Sequence, residues 1–265
     1  NFTTFIRYVN MSMDYYCSAK FTDLQVHVQG RLLYNCCKAY PERVDLDWLE
    51  ANPGRLFQTD TMLADRELML DNKSCASCHH GCYKYEEQGL PSPRHCNMTC
   101  MYCSPEWSSS WQKDIAKNGA HELIGFKLDN DNFSDLWAKI KQKSRSTDSR
   151  FFDLFLKEIK LADGLESISI LGGEPLLNNQ LEAVIDVSGD KKISITTGLG
   201  VSHSRLSKLL KKIKNKRINF SVSGETTGKF FELIRYGTKW GDFKERVRMI
   251  EDSGHEIQFI STMSN

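Results

Sequence analysis

The 265-residue sequence lacks several features that mark common classes of protein. No apolar run approaches the roughly 20 residues of a membrane-spanning helix, and no hydrophobic signal peptide begins the chain. The 35 basic and 34 acidic residues give a net charge of +1, so no overall positive field favours nucleic acid. No internal repeat or low-complexity tract is present. These absences predict a cytoplasmic protein, long enough to bury a core and to hold two domains.

Cysteine, by contrast, is abundant, and its spacing is the most informative feature of the chain. Of nine cysteines, Cys96, Cys100 and Cys103 lie in the run CNMTCMYC. A closed zinc site or four-iron cluster normally uses four protein ligands. A compact loop with three thiols therefore leaves one coordination position for another molecule. Nine is an odd number, and clustered thiols in a cytosolic protein bind metal more often than they form disulfides.

The spacing Cys-x3-Cys-x2-Cys, with the aromatic Tyr102 before the third cysteine, resembles the signature loop of the radical S-adenosylmethionine (SAM) superfamily. The resemblance implies that Cys96, Cys100 and Cys103 bind a catalytic [4Fe-4S] cluster whose free iron binds SAM, with Tyr102 against the adenine. It also implies reductive cleavage of SAM to a 5′-deoxyadenosyl radical that abstracts hydrogen from a substrate. Zinc proteins carry similar short motifs, so a non-catalytic zinc-binding protein is the alternative from another class.

A second motif ends an alternating, β-branched stretch. The run ESISILGGEPLL reads as a strand that stops at Gly172-Gly173-Glu174. It resembles the GGE motif of the same superfamily, in which the glycines bring the backbone close to the ligand. The resemblance implies that Glu174 binds the ammonium group of SAM. An ordinary glycine turn at a strand end is the alternative interpretation.

After residue 150, apolar patterns of helical and of strand period alternate along the chain. Helices are predicted over FFDLFLKEIKLADG, SRLSKLLKKIKN and FKERVRMIEDSG, and strands over ESISI, KKISITTGLG, RINFSVSGE and HEIQFISTMSN. Such alternation predicts βαβ units and a parallel sheet. We predict an α/β fold in which residues 95–265 form a partial (βα)6 TIM-like radical SAM barrel. The segment Asp114 to Arg150 is predicted to be irregular, apart from one helix around Leu136.

Ligands of such barrels bind at the carboxyl ends of the strands. The polar residues expected there, facing one mouth, are Glu174, Thr196, Thr197, Ser221, Ser223 and Asn265. By resemblance, Ser221 and Ser223 match contacts to the ribose and carboxylate of SAM, and Asn265 matches a polar contact at the fifth strand. Arg235 matches an arginine that binds the SAM carboxylate, which suits the guanidinium fork. The alternative interpretation is that the serines form hydrogen bonds with backbone groups and that the arginine is a solvated surface charge.

Two expected parts of the barrel are missing from the sequence. The residues directly before the cysteine loop, EEQGLPSPRH, are polar and proline-rich and cannot form a buried first strand. The chain also stops at the predicted fifth strand. We therefore expect missing sequence near Arg94 and His95 and after Asn265.

The other six cysteines lie in the N-terminal third of the chain. They are Cys17, Cys36, Cys37, Cys75, Cys78 and Cys82. The runs TDLQVHV and RLLYNC predict a hairpin that turns at Gln29-Gly30. Together these features resemble the twitch module, a short relative of the SPASM domain that holds an auxiliary [4Fe-4S] cluster in some radical SAM enzymes. The resemblance places the module in residues 1–94.

The implied ligands of the auxiliary cluster are Cys17, Cys36, Cys75 and Cys78. Cys37 is an alternative to Cys36, and Cys82 is either an alternative fourth ligand or a free thiol. Cys-x2-Cys pairs also bind zinc, which is the alternative for this site.

The motifs together predict a radical SAM enzyme with two [4Fe-4S] clusters and SAM as cofactors. The auxiliary cluster would either bind the substrate or accept an electron from it. Such a module most often implies peptide modification, with dehydrogenation of a small molecule as the alternative. The predicted partners are a peptide or small-molecule substrate and a one-electron reductant such as a flavodoxin or ferredoxin, with neither membrane nor nucleic acid.

Overall fold

The computed structural model describes residues 19–22, 24–28, 30–35, 40–71, 73, 75, 77–78, 96–101, 103, 108–119 and 149–261. The chain divides into two compact units, one of residues 1–26 and 31–87 and the other of residues 27–30 and 88–265. The domain boundary between residues 94 and 95 stays a prediction, because both residues lie outside the described part. No described helix has the length and apolar character needed to cross a membrane.

The first unit combines short helices with a small sheet. Its described elements are α1 (Ala19–Thr22), β1 (Gln25–His27), β2 (Leu32–Tyr34), β3 (Glu42–Arg43), α2 (Leu46–Ala51) and α3 (Asp60–Leu70). The strand order is β1-β2-β3, and β2 and β3 are antiparallel. The two strands of the predicted hairpin are therefore neighbours. Thr59 starts α3, because its hydroxyl accepts a hydrogen bond from the backbone N–H of Met62.

The second unit contains the parallel sheet. Its described elements are β4 (Thr99–Cys100), α4 (Ser109–Asn118), α5 (Ser149–Leu161), β5 (Ser167–Ile170), α6 (Leu181–Val187), β6 (Lys192–Thr197), α7 (His203–Lys212), β7 (Ile218–Ser223), α8 (Gly228–Ile234), β8 (Arg235–Tyr236), α9 (Trp240–Asp252) and β9 (Glu256–Ile260). A single 3-10 turn covers Pro175–Leu177. Strands β5, β6, β7 and β9 form one sheet in that order, with every neighbouring pair parallel. The predicted α/β fold with a parallel sheet is therefore confirmed.

The sheet has one apolar face and one polar face, because alternate residues of a strand point to opposite sides. Ile195 of β6 and Phe220 of β7 are register partners, and both are fully buried against the helices. Leucine, isoleucine, phenylalanine and valine side chains from α6, α7, α8 and α9 complete this core. Burying each such side chain contributes about 1.5–3 kcal/mol, which makes this the main stabilising layer of the unit. The opposite face carries Thr196 and Ser221, also register partners.

The region between the cysteine loop and α5 differs from the prediction. Helix α4 continues to Asn118, so the irregular structure predicted from Asp114 onward is wrong for the first five residues of that segment. The helix starts because the hydroxyl of Ser108 accepts from the backbone N–H of Trp111, and Gly119 ends it with φ of 84°. The helix predicted around Leu136 lies outside the described residues.

Candidate functional site

The cysteine loop, residues 96–103, is held on both sides by other segments of the second unit. Cys100 of β4 pairs with Arg235 of β8 in a short antiparallel ladder. The indole N–H of Trp111 in α4 donates to the carbonyl oxygen of Cys100 at 3.0 Å. The carbonyl oxygen of Cys96 accepts hydrogen bonds from two serine hydroxyls at the start of α4, each at 2.9 Å. The loop therefore depends on contacts from the chain that follows it.

The three thiols of this loop lie together, and two of them are buried. Cys96 and Cys100 are buried, and Cys103 packs against them. Burial raises the pKa of Cys96 to about 11 and that of Cys100 to about 12, while the positive charge of Arg235 lowers both pKa values in part. None of the three forms a disulfide. Because a buried thiolate needs a positive partner, this donor set suits a metal centre.

Within the described ranges, no three His, Cys, Asp or Glu side chains are grouped so that they could hold a metal ion. Thiolates are the protein ligands of iron-sulfur clusters, so the residue types of the loop match the predicted [4Fe-4S] cluster, which stays a prediction. Tyr102, predicted to lie against the adenine, falls outside the described residues.

Glu174 is the centre of a hydrogen-bond network in the interior of the second unit. Its Oε1 accepts from the backbone N–H of Leu176 at 3.1 Å and from the hydroxyl of Thr197 at 2.6 Å. Its Oε2 accepts from the backbone N–H groups of Gly198 at 3.1 Å and Gly200 at 3.0 Å. Burial raises the pKa of Glu174, and these four donors oppose that shift.

These donors decide what else Glu174 can bind. A carboxylate offers about four acceptor positions, and four donors of the chain already use them. An ammonium group from a ligand would have to share the oxygens of Glu174 with these donors. The predicted ammonium contact therefore stays a prediction. Of the two glycines that precede Glu174, Gly172 is exposed with φ of 151° and Gly173 is half-buried.

The glycine loop, residues 197–200, packs against the cysteine loop. A Cβ atom at Gly198 would lie 2.6 Å from Cε of Met98, and one at Gly200 would lie 3.2 Å from the same atom. A Cβ atom at Gly200 would also overlap the side-chain oxygen of Asn97. A side chain at either position would therefore displace the side chain of Met98 or Asn97, and glycine lets the two loops pack as closely as they do.

Arg235 lies next to the same glycine loop and is paired with an acidic residue that the sequence analysis missed. Nε and Nη2 of Arg235 each donate to the carboxylate of Glu225 at 2.7 Å. A Cβ atom at Gly198 would lie 2.9 Å from Nη1 of Arg235. The predicted contact of Arg235 with the SAM carboxylate stays a prediction. Glu225 directly follows the run SVSG at the end of β7. An acidic residue at the carboxyl end of a parallel strand is a candidate site residue, and this position could have indicated Glu225.

The polar strand-end residues do not share one direction. Thr197 belongs to the buried face of β6 and donates to Glu174, whereas Thr196 pairs with Ser221 on the opposite face. The two threonines lie on different faces of the sheet because neighbouring strand residues alternate. The expectation that the strand-end residues face one mouth stays a prediction. The hydroxyl of Ser221 lies 3.5 Å from that of Ser194. Half-buried Ser223 ends β7.

Several predicted positions lie outside the described residues. They are Asn265, Arg94, His95, Cys17, Cys36, Cys37 and Cys82. Of the predicted auxiliary ligands, Cys75 and Cys78 are described, and their Sγ atoms lie 2.8 Å apart. Burial and the hydrogen bond with Cys75 raise the pKa of Cys78 to about 12. The pair is therefore close enough to bind one metal centre.

A buried charged group of the first unit adjoins this pair. Lys20 is fully buried, and its Nζ lies 2.9 Å from a carboxylate oxygen of Asp65. The hydroxyl of Ser77, which lies between the two cysteines in sequence, makes hydrogen bonds with both residues. These contacts attach the cysteine pair to α1 and α3. No local pattern predicts this network, because Lys20, Asp65 and Ser77 are separated along the chain.

Comparisons with known proteins find relatives that share part of the chain. No protein-family model matches it. The chain is 29% identical over 130 residues to GTP 3',8-cyclase of Aliarcobacter butzleri, a match that covers 48% of this chain and 31% of the relative. It is 32% identical over 104 residues to GTP 3',8-cyclase of Aquifex aeolicus, a match that covers 38% of this chain and 32% of the relative. The chain thus spans about a third of the length of these curated relatives.

A solved structure described as native anSMEcpe with bound AdoMet covers 64% of this chain and 42% of that chain, at 16% identity and a TM-score of 0.39. That likeness is too low to support an argument. The sequence relatives, in contrast, confirm the predicted relationship to the radical SAM superfamily. The twitch module stays a prediction.

Proposed function

We propose that the second unit binds a [4Fe-4S] cluster and SAM and cleaves SAM as part of a radical SAM enzyme. The observation that carries the proposal is the meeting of the cysteine loop, Glu174 and Arg235 at one glycine loop. When bound, the cluster and SAM supply a 5′-deoxyadenosyl radical that takes hydrogen from a substrate. The partial barrel predicted from sequence would set this site at the carboxyl ends of the parallel strands.

The residues of the chain have distinct roles in this proposal. Cys96, Cys100 and Cys103 would hold the cluster, and their burial would keep water away from the reacting groups. Glu174 would hold the glycine loop in place through the hydrogen bonds described above. Arg235 would add a fixed positive charge beside Cys100, close to where an anionic carboxylate of SAM would lie.

Anaerobic reconstitution with iron and sulfide tests the proposal. The reconstituted protein should be brown and should produce 5′-deoxyadenosine from SAM after reduction. Cys100→Ala should abolish this cleavage, because the cluster loses one of its three protein ligands. Met101→Ala is a matched control: Met101 is the next residue, its side chain is 67% exposed, and its removal should leave cleavage intact. Normal SAM cleavage by Cys100→Ala would overturn the proposal.

We also infer an auxiliary metal centre in the first unit, with Cys75 and Cys78 among its ligands. The support is that the two thiols lie side by side and form no disulfide. Two four-iron clusters would give about eight irons per chain. Cys75→Ala should remove about half of this iron and leave SAM cleavage at the other cluster. Tightly bound zinc in place of this iron would favour the zinc alternative for the first unit.

For the substrate, the comparisons favour a small molecule over a peptide. The relatives named GTP 3',8-cyclase act, by their name, on a purine nucleotide. GTP is therefore the first probe, with a mixture of short peptides as the comparison. A substrate should increase 5′-deoxyadenosine formation above the rate with SAM alone. The peptide substrate, the flavodoxin or ferredoxin reductant and the cytoplasmic location stay predictions.

A further inference from the structure

Arg246 of α9 is a buried arginine that points to the glycine loop. Its residue is 8% exposed, and Nη1 donates to the carbonyl oxygen of Leu199 at 3.1 Å. The same nitrogen lies 3.4 Å from the hydroxyl of Thr238, and Nη2 lies 3.6 Å from Asp242 one turn earlier in the helix. Burying a guanidinium is costly unless it makes hydrogen bonds, so these contacts offset the cost of burying Arg246 and fix its position.

The glycine loop is held from two opposite sides. On one side, the N–H groups of Gly198 and Gly200 donate to Glu174. On the other, the carbonyl oxygen of Leu199, the residue between them, accepts from Arg246. Leu199 is fully buried with φ of 56°, which is uncommon for a residue other than glycine. Such a conformation persists only where the surrounding contacts maintain it.

The cysteine loop rests on this glycine loop. The side chains of Met98 and Asn97 meet Gly198 and Gly200 so closely that a Cβ atom there would displace them. A rotation of the Leu199 peptide would therefore change both the donors offered to Glu174 and the surface on which the cysteine loop packs.

We propose that Arg246 is a positioning residue for the SAM site, acting through the carbonyl oxygen of Leu199. It does not belong to the predicted set of ligands, and its effect passes through the glycine loop to Glu174 and to the cysteine loop. The inference rests on the proposed function of the second unit. A purely structural arginine would stabilise the whole unit equally and would have no selective effect on SAM.

The test compares three variants of the reconstituted protein. Arg246→Met removes both the charge and the donors, and should raise the KM for SAM about tenfold, as expected for the loss of one hydrogen bond from a charged donor, with a smaller change in kcat. Arg246→Lys keeps a cationic donor and should restore part of this loss. Arg248→Met is the matched control, because Arg248 lies two residues along the same helix and is exposed. An unchanged KM for Arg246→Met, or an equal change for Arg248→Met, would overturn the inference.

A second measurement does not depend on catalysis. In iron-free protein, amide hydrogen exchange at Gly198 and Gly200 should be about tenfold faster in Arg246→Met than in Arg248→Met. Amides of β6 and β7 should exchange at equal rates in the two variants. Equal acceleration at every amide would show a general loss of stability and would contradict the positioning role. If the unaltered protein does not cleave SAM, the proposed function fails, while the exchange result still decides the role of Arg246.

Discussion

Removing the carboxylate of Glu225 should destabilise the second unit strongly. The two 2.7 Å hydrogen bonds to Arg235 join side chains that are only 7% and 5% exposed. Breaking a buried ion pair from one side costs about 3–5 kcal/mol, because the other charge stays buried without its partner. Replacing both charges with apolar groups is often neutral. We expect Glu225→Leu to lower the free energy of unfolding by about 3 kcal/mol, and the double variant Glu225→Leu with Arg235→Met to recover most of that loss.

Urea unfolding followed by circular dichroism measures these changes. With a urea dependence of about 2 kcal/mol per molar, a loss of about 3 kcal/mol lowers the unfolding midpoint by about 1.5 M. Lys212→Met is the matched control, because Lys212 pairs with Glu182 and Asp186 at the surface, at 2.9 and 3.0 Å. Exposed pairs contribute little, so this variant should show no measurable change.

Two outcomes would refute this reasoning. One is a loss below about 1 kcal/mol for Glu225→Leu, which would mean that Arg235 finds other partners of equal value. The other is a double variant that is less stable than Glu225→Leu alone. The double variant also separates stability from function, since a folded protein without the charge of Arg235 should bind SAM more weakly if Arg235 contacts the SAM carboxylate.

Two further predictions concern residues at the edge of the site. Gly237→Ala should lower the free energy of unfolding by about 2–4 kcal/mol in the same urea assay. The reason is that φ of Gly237 is 108° and that a Cβ atom there would lie 2.7 Å from the carbonyl oxygen of Asn97. A loss below about 1 kcal/mol would contradict this. Burial lowers the pKa of His255 below its usual 6.5, so the unfolded chain binds the proton more readily, and stability should fall as the pH drops from 6.5 through the folded-state pKa. His255→Phe should remove this part of the pH dependence, measured by urea unfolding between about pH 5 and pH 8, and an unchanged slope would show that other groups cause it.

The repeating part of the fold could be predicted from the sequence. The strands β5, β6, β7 and β9 and the helices α5, α7 and α9 each carry a clear apolar period, and each falls within or close to its predicted segment. Parallel pairing followed from their alternation. Each of these elements buries one apolar face. The periodic apolar residues that form this face are visible in the local sequence, so the element can be predicted from it.

The contacts that build the site could not be predicted in the same way. The ladder of Cys100 with Arg235 involves two-residue strands, which have no period to detect. The pairing of Arg235 with Glu225 and the contact of Arg246 with Leu199 depend on how separate elements pack. Sequence motifs indicated which residues carry chemistry, and packing determines which of them meet.

The ladder between β4 and β8 also has a consequence for how the protein is made. Cys100 pairs with a residue that is translated 135 positions later. While the ribosome is still adding the intervening chain, the three thiols have neither the neighbouring strand nor the glycine loop to shelter them. Under the proposed function, insertion of the iron-sulfur cluster should therefore follow translation of most of this unit, and nascent chains would be the form most vulnerable to oxygen.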